Sequence, residues 1–126
     1  MATIRTFEEL DAWRHARQLV SDVYRHTRNP NVKNDFGYCD QIQRAAVSTM
    51  SNIAEGFGRH SDKEFAQFLN LSMASASEVR SMLYAGQDIG YLSQTDFDDL
   101  QRLCKDTIMT VSSLQSYLRR SVRKRK

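Results

Sequence analysis

Six of the last eight residues are cations: Arg119, Arg120, Arg123, Lys124, Arg125 and Lys126. A run of this density attracts phosphate by Coulomb forces and by release of condensed counterions. It holds no aromatic ring to stack on a base, so such binding would be indifferent to sequence. The competing reading is a solvated chain end. Nothing else in the chain matches a recognised reaction centre. No glutamate has a histidine three residues later, the spacing that a di-metal bundle requires. His15 and His26 follow Asp11 and Asp22 at i+4, opposite the Trp13 and Val20 side, and read as solvated pairs. Cys39 and Cys104 sit in apolar helical patterns, where cysteine is usually a small buried hydrophobe. The segment Gly56-Phe57-Gly58-Arg59-His60-Ser61 leads into a helix N-terminus, a place that favours anions. Ser61, Glu64 and Asp62 work against an anion there, so a plain helix–helix turn is the better reading. No catalytic residue, metal or cofactor is expected.

The cations are unevenly placed. Of 18 basic residues, six lie in 119–126; without them 12 face 15 acidic residues, a net of −3. The chain reads as a mildly acidic body, residues 1–118, followed by a basic tail, residues 119–126. With 126 residues, 40% of them apolar, one domain can bury a core unaided. Two cysteines are too few for a disulfide framework, and no run approaches the length of a membrane span. A cytoplasmic location without membrane contact is the expectation.

The elements that must position these residues are helices. One proline and five glycines leave few breakers. Thr6 and Glu9 have the spacing of a capping box, followed at helical intervals by Phe7, Leu10, Trp13, Ala16, Val20, Val23, Tyr24 and Thr27. Asn29, before Pro30, is pushed out of the α region. A second helix carries Ile42, Ala46, Thr49, Ile53 and Phe57, flanked by the small residues Ala45, Ser48, Asn52 and Gly56. A third opens on Ser61 and Glu64 and runs past Gly86 to Gly90. The fourth begins at Ser93 or Thr95, with a stripe of Phe97, Leu100, Cys104, Ile108, Val111 and Leu118. The expected spans are roughly 7–28, 35–57, 62–89 and 94–118. Short connections make sequential helices antiparallel. The expected fold is an all-α, up-down four-helix bundle.

The third helix has two faces of interest. Phe65, Phe68, Leu69, Ser72, Ala76, Val79 and Leu83 form a core face. Ala66, Asn70, Ala74, Ser77, Ser81 and Tyr84 form another that is small or apolar, and Glu78 and Arg80 are the only charges between Phe65 and Ala85. A surface helix normally has a charged side. The second face therefore suggests a subunit contact through Ala66, Asn70, Ala74, Ser77 and Ser81, joined by Asn52 and Glu55 of the second helix. Arg44 and Glu55, three turns apart, are too distant to pair with each other along one helix; they read either as a solvated strip or as partners for another helix or subunit.

Several words fall in a distinctive order. Phe7-x-x-Leu10-x-x-Trp13-x-x-Ala16-x-x-Leu19 precedes Val23-Tyr24 and the run Gln41 to Ser48. Asn52-Ile53-Ala54-Glu55-Gly56-Phe57-Gly58-Arg59-His60-Ser61 follows, then Glu64-Phe65-x-x-Phe68-Leu69, Glu78, Leu83 and Ile89-Gly90-Tyr91-Leu92. Over roughly residues 7 to 118 the chain resembles the four-helix family associated with intervening sequences of bacterial 23S ribosomal RNA genes. It departs from that family's usual paired arginines at Gln43-Arg44, from a glycine near Ala74, and from Leu-Gly-Tyr at Ile89-Gly90-Tyr91. The resemblance implies an antiparallel bundle that assembles into homo-oligomeric, pentamer-like rings. It also implies kinship with accessory bundle proteins of diversity-generating retroelements, which bind nucleic acid and reverse transcriptase. The family has no well-established enzymatic activity.

The expected function is thus a non-enzymatic homo-oligomer, a pentamer by preference, that binds structured RNA or DNA through its clustered tails. The alternative is an interaction scaffold for an unknown protein partner, with the tail a bystander.

Overall fold

The computed structural model describes the backbone of residues 3–125 and the side chains of residues 3–120. A short 3-10 turn, Phe7–Glu9, precedes four helices: α1 Asp11–Thr27, α2 Phe36–Phe57, α3 Asp62–Ile89 and α4 Gln94–Arg125. Each helix packs on the next and α1 closes the ring against α4, so the four form a bundle with no strand among the described residues.

The antiparallel topology is visible in the core. One cluster joins Leu19 and Val23 of α1 to Cys39, Ile42 and Ala46 of α2, Val79 and Leu83 of α3, and Leu100 and Cys104 of α4. The other joins Ala12 and Ala16, Ile53, Phe65 and Leu69, and Val111 and Leu118. The order along each successive helix reverses, as up-down-up-down connection demands. Between the clusters lie three fully buried hydroxyls, Thr49, Ser72 and Thr107. Thr49 donates to the Ala45 carbonyl at 2.9 Å and Thr107 to that of Leu103 at 2.7 Å. Ser72 donates across to the Thr49 carbonyl at 2.7 Å. Every member is satisfied, so the layer carries no stranded polar group.

The ends follow local chemistry. The Glu9 carboxylate accepts from the backbone of Thr6 at 2.9 Å and of Arg5 at 2.7 Å, but it caps the 3-10 turn, and α1 starts only at Asp11. Asp35 caps α2 by accepting from the Tyr38 N–H. Ser61 caps α3 through the Glu64 N–H, and Ser93 caps α4 through the Asp96 N–H. Gly90, at φ 95°, ends α3 in the left-handed region that favours glycine. There Tyr91 N–H reaches the Gly86 carbonyl at 2.8 Å, and Gly90 N–H reaches that of Gln87 at 3.1 Å.

Two differences from the sequence expectation concern α1 and α4. The buried stripe of α1 runs through Ala12, Ala16, Leu19, Val23, His26 and Thr27. Trp13 and Val20 are only half-buried and Tyr24 is exposed, since large amphipathic rings can cover a seam from its edge. Helix α4 does not stop near Leu118 but continues to Arg125. Arginine and lysine are good helix formers and are favoured at the negative C-terminal end of a helix, so no break is imposed.

Candidate functional site

The basic tail begins where the core ends. Leu118 is the last core residue of α4, and Arg119 and Arg120 are exposed. Neither enters an ion pair among the described residues. The side chains of Arg123, Lys124 and Arg125, and the whole of Lys126, lie outside the described residues.

Of the residues assigned to a subunit contact, Asn70, Ala74, Ser77 and Ser81 share the outer face of α3 and are exposed. Leu71 and Tyr84 add apolar surface beside them, 54% and 51% exposed. Ala66 is covered within the subunit, and its carbonyl accepts from the Gln115 amide at 2.9 Å. That amide also donates to Asn70 Oδ1 at 2.6 Å, so α4 partly engages Asn70. Asn52 is half-buried and donates to the Ser48 carbonyl at 2.8 Å, while the Ser48 and Ser75 hydroxyls meet at 2.8 Å across α2 and α3. Arg44 and Glu55 find partners locally rather than on another helix. Arg44 pairs with Asp40 at 3.0 Å, and Glu55 with Arg59 at 3.2 Å. Each partner sits one turn away on the same helix.

The word around Gly56 is structural at its first glycine. A Cβ there would stand 2.6 Å from Phe68 Cβ and 2.9 Å from Phe65 Cδ1, so only glycine permits this approach of α2 to α3. Arg59, at the following turn, lies over the Phe68 ring at 4.6 Å from its centroid.

Sequence reasoning missed a polar cluster at the α1–α2 end. His26, read as solvated with Asp22, is only 5% exposed; its Nε2 meets the Tyr38 hydroxyl at 2.7 Å. Nδ1 of His26 is buried without a hydrogen-bond partner. Burial depresses the pKa of His26, with Asp96 pulling weakly the other way, so the ring is held toward its neutral form. Tyr38 is pushed well above the usual phenol range by the same burial. Beside it, Tyr91 donates to the Asp35 carboxylate at 2.6 Å, which lowers the Asp35 pKa and raises that of Tyr91. Tyr38 packs edge-on against both His26 and Tyr91. Gly86 leaves room for this: a Cβ there would collide with the Tyr38 hydroxyl. The only sequence signal was that Tyr38 and His26 fall on core-facing positions once the helices are correctly phased.

Both cysteines are buried. Burial pushes the Cys104 thiol up to about 12, and raises that of Cys39, whose Sγ donates to the Val32 carbonyl at 3.3 Å. Such thiols hold their protons, whereas thiol chemistry requires the thiolate. Among the described residues no group of three or more His, Cys, Asp or Glu side chains could hold a metal ion, and no helix is long and apolar enough to cross a membrane.

The bundle is similar to a solved structure. A protein of unknown function from the S23 ribosomal protein family of Bacteroides thetaiotaomicron shares 18% identity and superposes with a TM-score of 0.75. The match covers 82% of this chain and 97% of that one; at this identity it speaks for the fold alone. No curated protein sequence is significantly similar. The family model described as 23S rRNA-intervening sequence protein matches residues 8–113, from the 3-10 turn into the second half of α4. The chain therefore belongs to the family of 23S rRNA-intervening sequence proteins.

Proposed function

We propose that this protein is a non-enzymatic homo-oligomer, by preference a pentamer, that binds structured RNA or other nucleic acid through the basic end of α4. The observation that carries this reading is the course of α4. The helix continues to Arg125, past its last core residue at Leu118, and so carries the basic run beyond the hydrophobic stripe. A helical extension loses less conformational entropy on binding than a coil would. Self-association is supported by the outer face of α3, which is exposed, nearly uncharged and carries Leu71 and Tyr84. Assembly would cluster the basic helix ends and raise their effective concentration at a polyanion.

The test is an electrophoretic shift with structured RNA and with DNA. Exchange of Arg119, Arg120, Arg123, Lys124, Arg125 and Lys126 for glutamine should leave the helical content unchanged and weaken binding sharply. If all six reach phosphates, the log–log salt slope is about −4 to −5 per subunit. Equal binding by the glutamine variant at low salt removes the reading. The same α3 face would then favour a scaffold for a protein partner.

A further inference from the structure

The seam between α1 and α2 combines exposed aromatic rings with cations. Phe36, at the start of α2, is 77% exposed, although phenylalanine loses more than most residues by facing water. It lines a depression with Lys33 that continues, through the shared Asp40 and Gln43, into a second one lined by Tyr24, Arg44 and Val47. Along α1 and its C-cap, Trp13, Arg17, Tyr24 and Arg28 fall within about 60° of one another at 100° per residue, so the strip extends the length of that helix. Arg17 lies over the Trp13 ring at 5.6 Å, and Arg28 Nε donates to the Tyr24 carbonyl at 3.2 Å.

Charge is sorted across α1. Asp22 faces the opposite seam, where it lines a depression with Asp96 and Asp99 of α4. Asp40 is the one carboxylate lining the two α1–α2 depressions, and Arg44 already neutralises it at 3.0 Å. Lys33 and Arg28 have no ion-pair partner among the described residues. The occupant that fits is a polyanion offering flat, unsaturated faces at intervals.

We propose that the α1–α2 seam is a stacking track for single-stranded nucleic acid, with bases on Phe36 and Tyr24 and phosphates on Lys33 and Arg28. This rests on the nucleic-acid reading above and adds a second, base-contacting surface to the basic helix end. A duplex keeps its base faces stacked inside, so the seam selects unpaired strand. It does not read sequence, because every base has a π face.

Fluorescence anisotropy with labelled oligothymidylate and with a duplex of equal length tests it. The proteins are the intact chain, Phe36→Ala, Phe36→Trp and the six-glutamine tail variant. Phe36→Ala should weaken the single strand roughly five-fold or more and leave the duplex unchanged, since stacking is worth ~1–3 kcal/mol per base. Phe36→Trp should restore binding, and the tail variant should weaken both probes. Unchanged single-strand affinity in Phe36→Ala, with loss in the tail variant, overturns the track and leaves the proposed function standing. Absence of binding by the intact chain overturns both. A smaller particle for Phe36→Ala in light scattering also overturns the track, because the seam would then lie between copies of the chain.

Discussion

Tyr91 and Asp35 stand 56 positions apart, and the Tyr91 hydroxyl donates to Asp35 Oδ2 at 2.6 Å. The bond ties the turn between α3 and α4 to the first turn of α2, because Asp35 Oδ1 also caps the Tyr38 N–H. One carboxylate thus serves two elements. Tyr91→Phe should lower the urea midpoint, and Asp35→Ala should lower it further, since it also uncaps α2. The double variant should lose less than the two single losses combined. Strict additivity would mean that the two residues act independently.

Stability should fall as the solution is acidified below neutrality. His26 has an ordinary value of 6.5 that burial depresses in the folded state. Between the folded and unfolded values the unfolded chain binds the proton and the folded chain does not, so its stabilising contribution, present above 6.5, is lost as pH falls through that window. Urea unfolding at pH 7.5 and pH 5.5 reads the difference. His26→Gln should flatten the part of the slope that belongs to this residue; an unchanged slope would show that His26 is not its source.

Gly56→Ala should destabilise the fold by about 1–3 kcal/mol, the range for overpacking, although alanine is the better helix former by about 1 kcal/mol. The added methyl meets Phe68 Cβ at 2.6 Å, and a Cβ atom cannot swing away as a side-chain tip can. Gly58→Ala is the control. Its Cβ would find nothing nearer than the Glu55 carbonyl at 3.5 Å, and its φ of −77° suits any residue. Thermal unfolding of the two variants should differ in sign or by at least about 1 kcal/mol.

Ala74→Arg should reduce particle size in light scattering without loss of helix. Ala74 is exposed on the outer face of α3, so a single subunit accommodates arginine there, while a close helix contact between subunits would have to desolvate it. An unaltered particle would remove this face from the interface.

Much of this fold was legible because helix ends are written in local chemistry. The caps at Ser61 and Ser93 and the left-handed Gly90 stand where their residue types place them. The phase of α1 was harder to read. Trp13 and Tyr24 drew the apolar stripe toward themselves because they are large, yet they lie at the seam, while Ala12, Leu19 and His26 form the contact. A histidine four residues after an aspartate looks solvated; its burial beside Tyr38 depends on a hydroxyl from another helix that spacing within α1 cannot reveal. Arg44 and Glu55 illustrate the reverse case, where an ion partner one turn away was passed over for a distant one. The aromatic seam was invisible for a related reason. Phe36 lies outside the apolar line read for the second helix, and the packed helices show that it faces water beside the α1–α2 depressions.

The three hydroxyls at mid-bundle give the molecule a waist. Thr49 and Thr107 bond back to their own helices, and Ser72 alone reaches across. The two apolar clusters lie on either side of this layer. Amide hydrogen exchange should show the halves opening with separate free energies, each as its own cooperative unit. Ser72 alone of the three therefore links one helix to the next, α3 to α2, at the height where the two clusters meet.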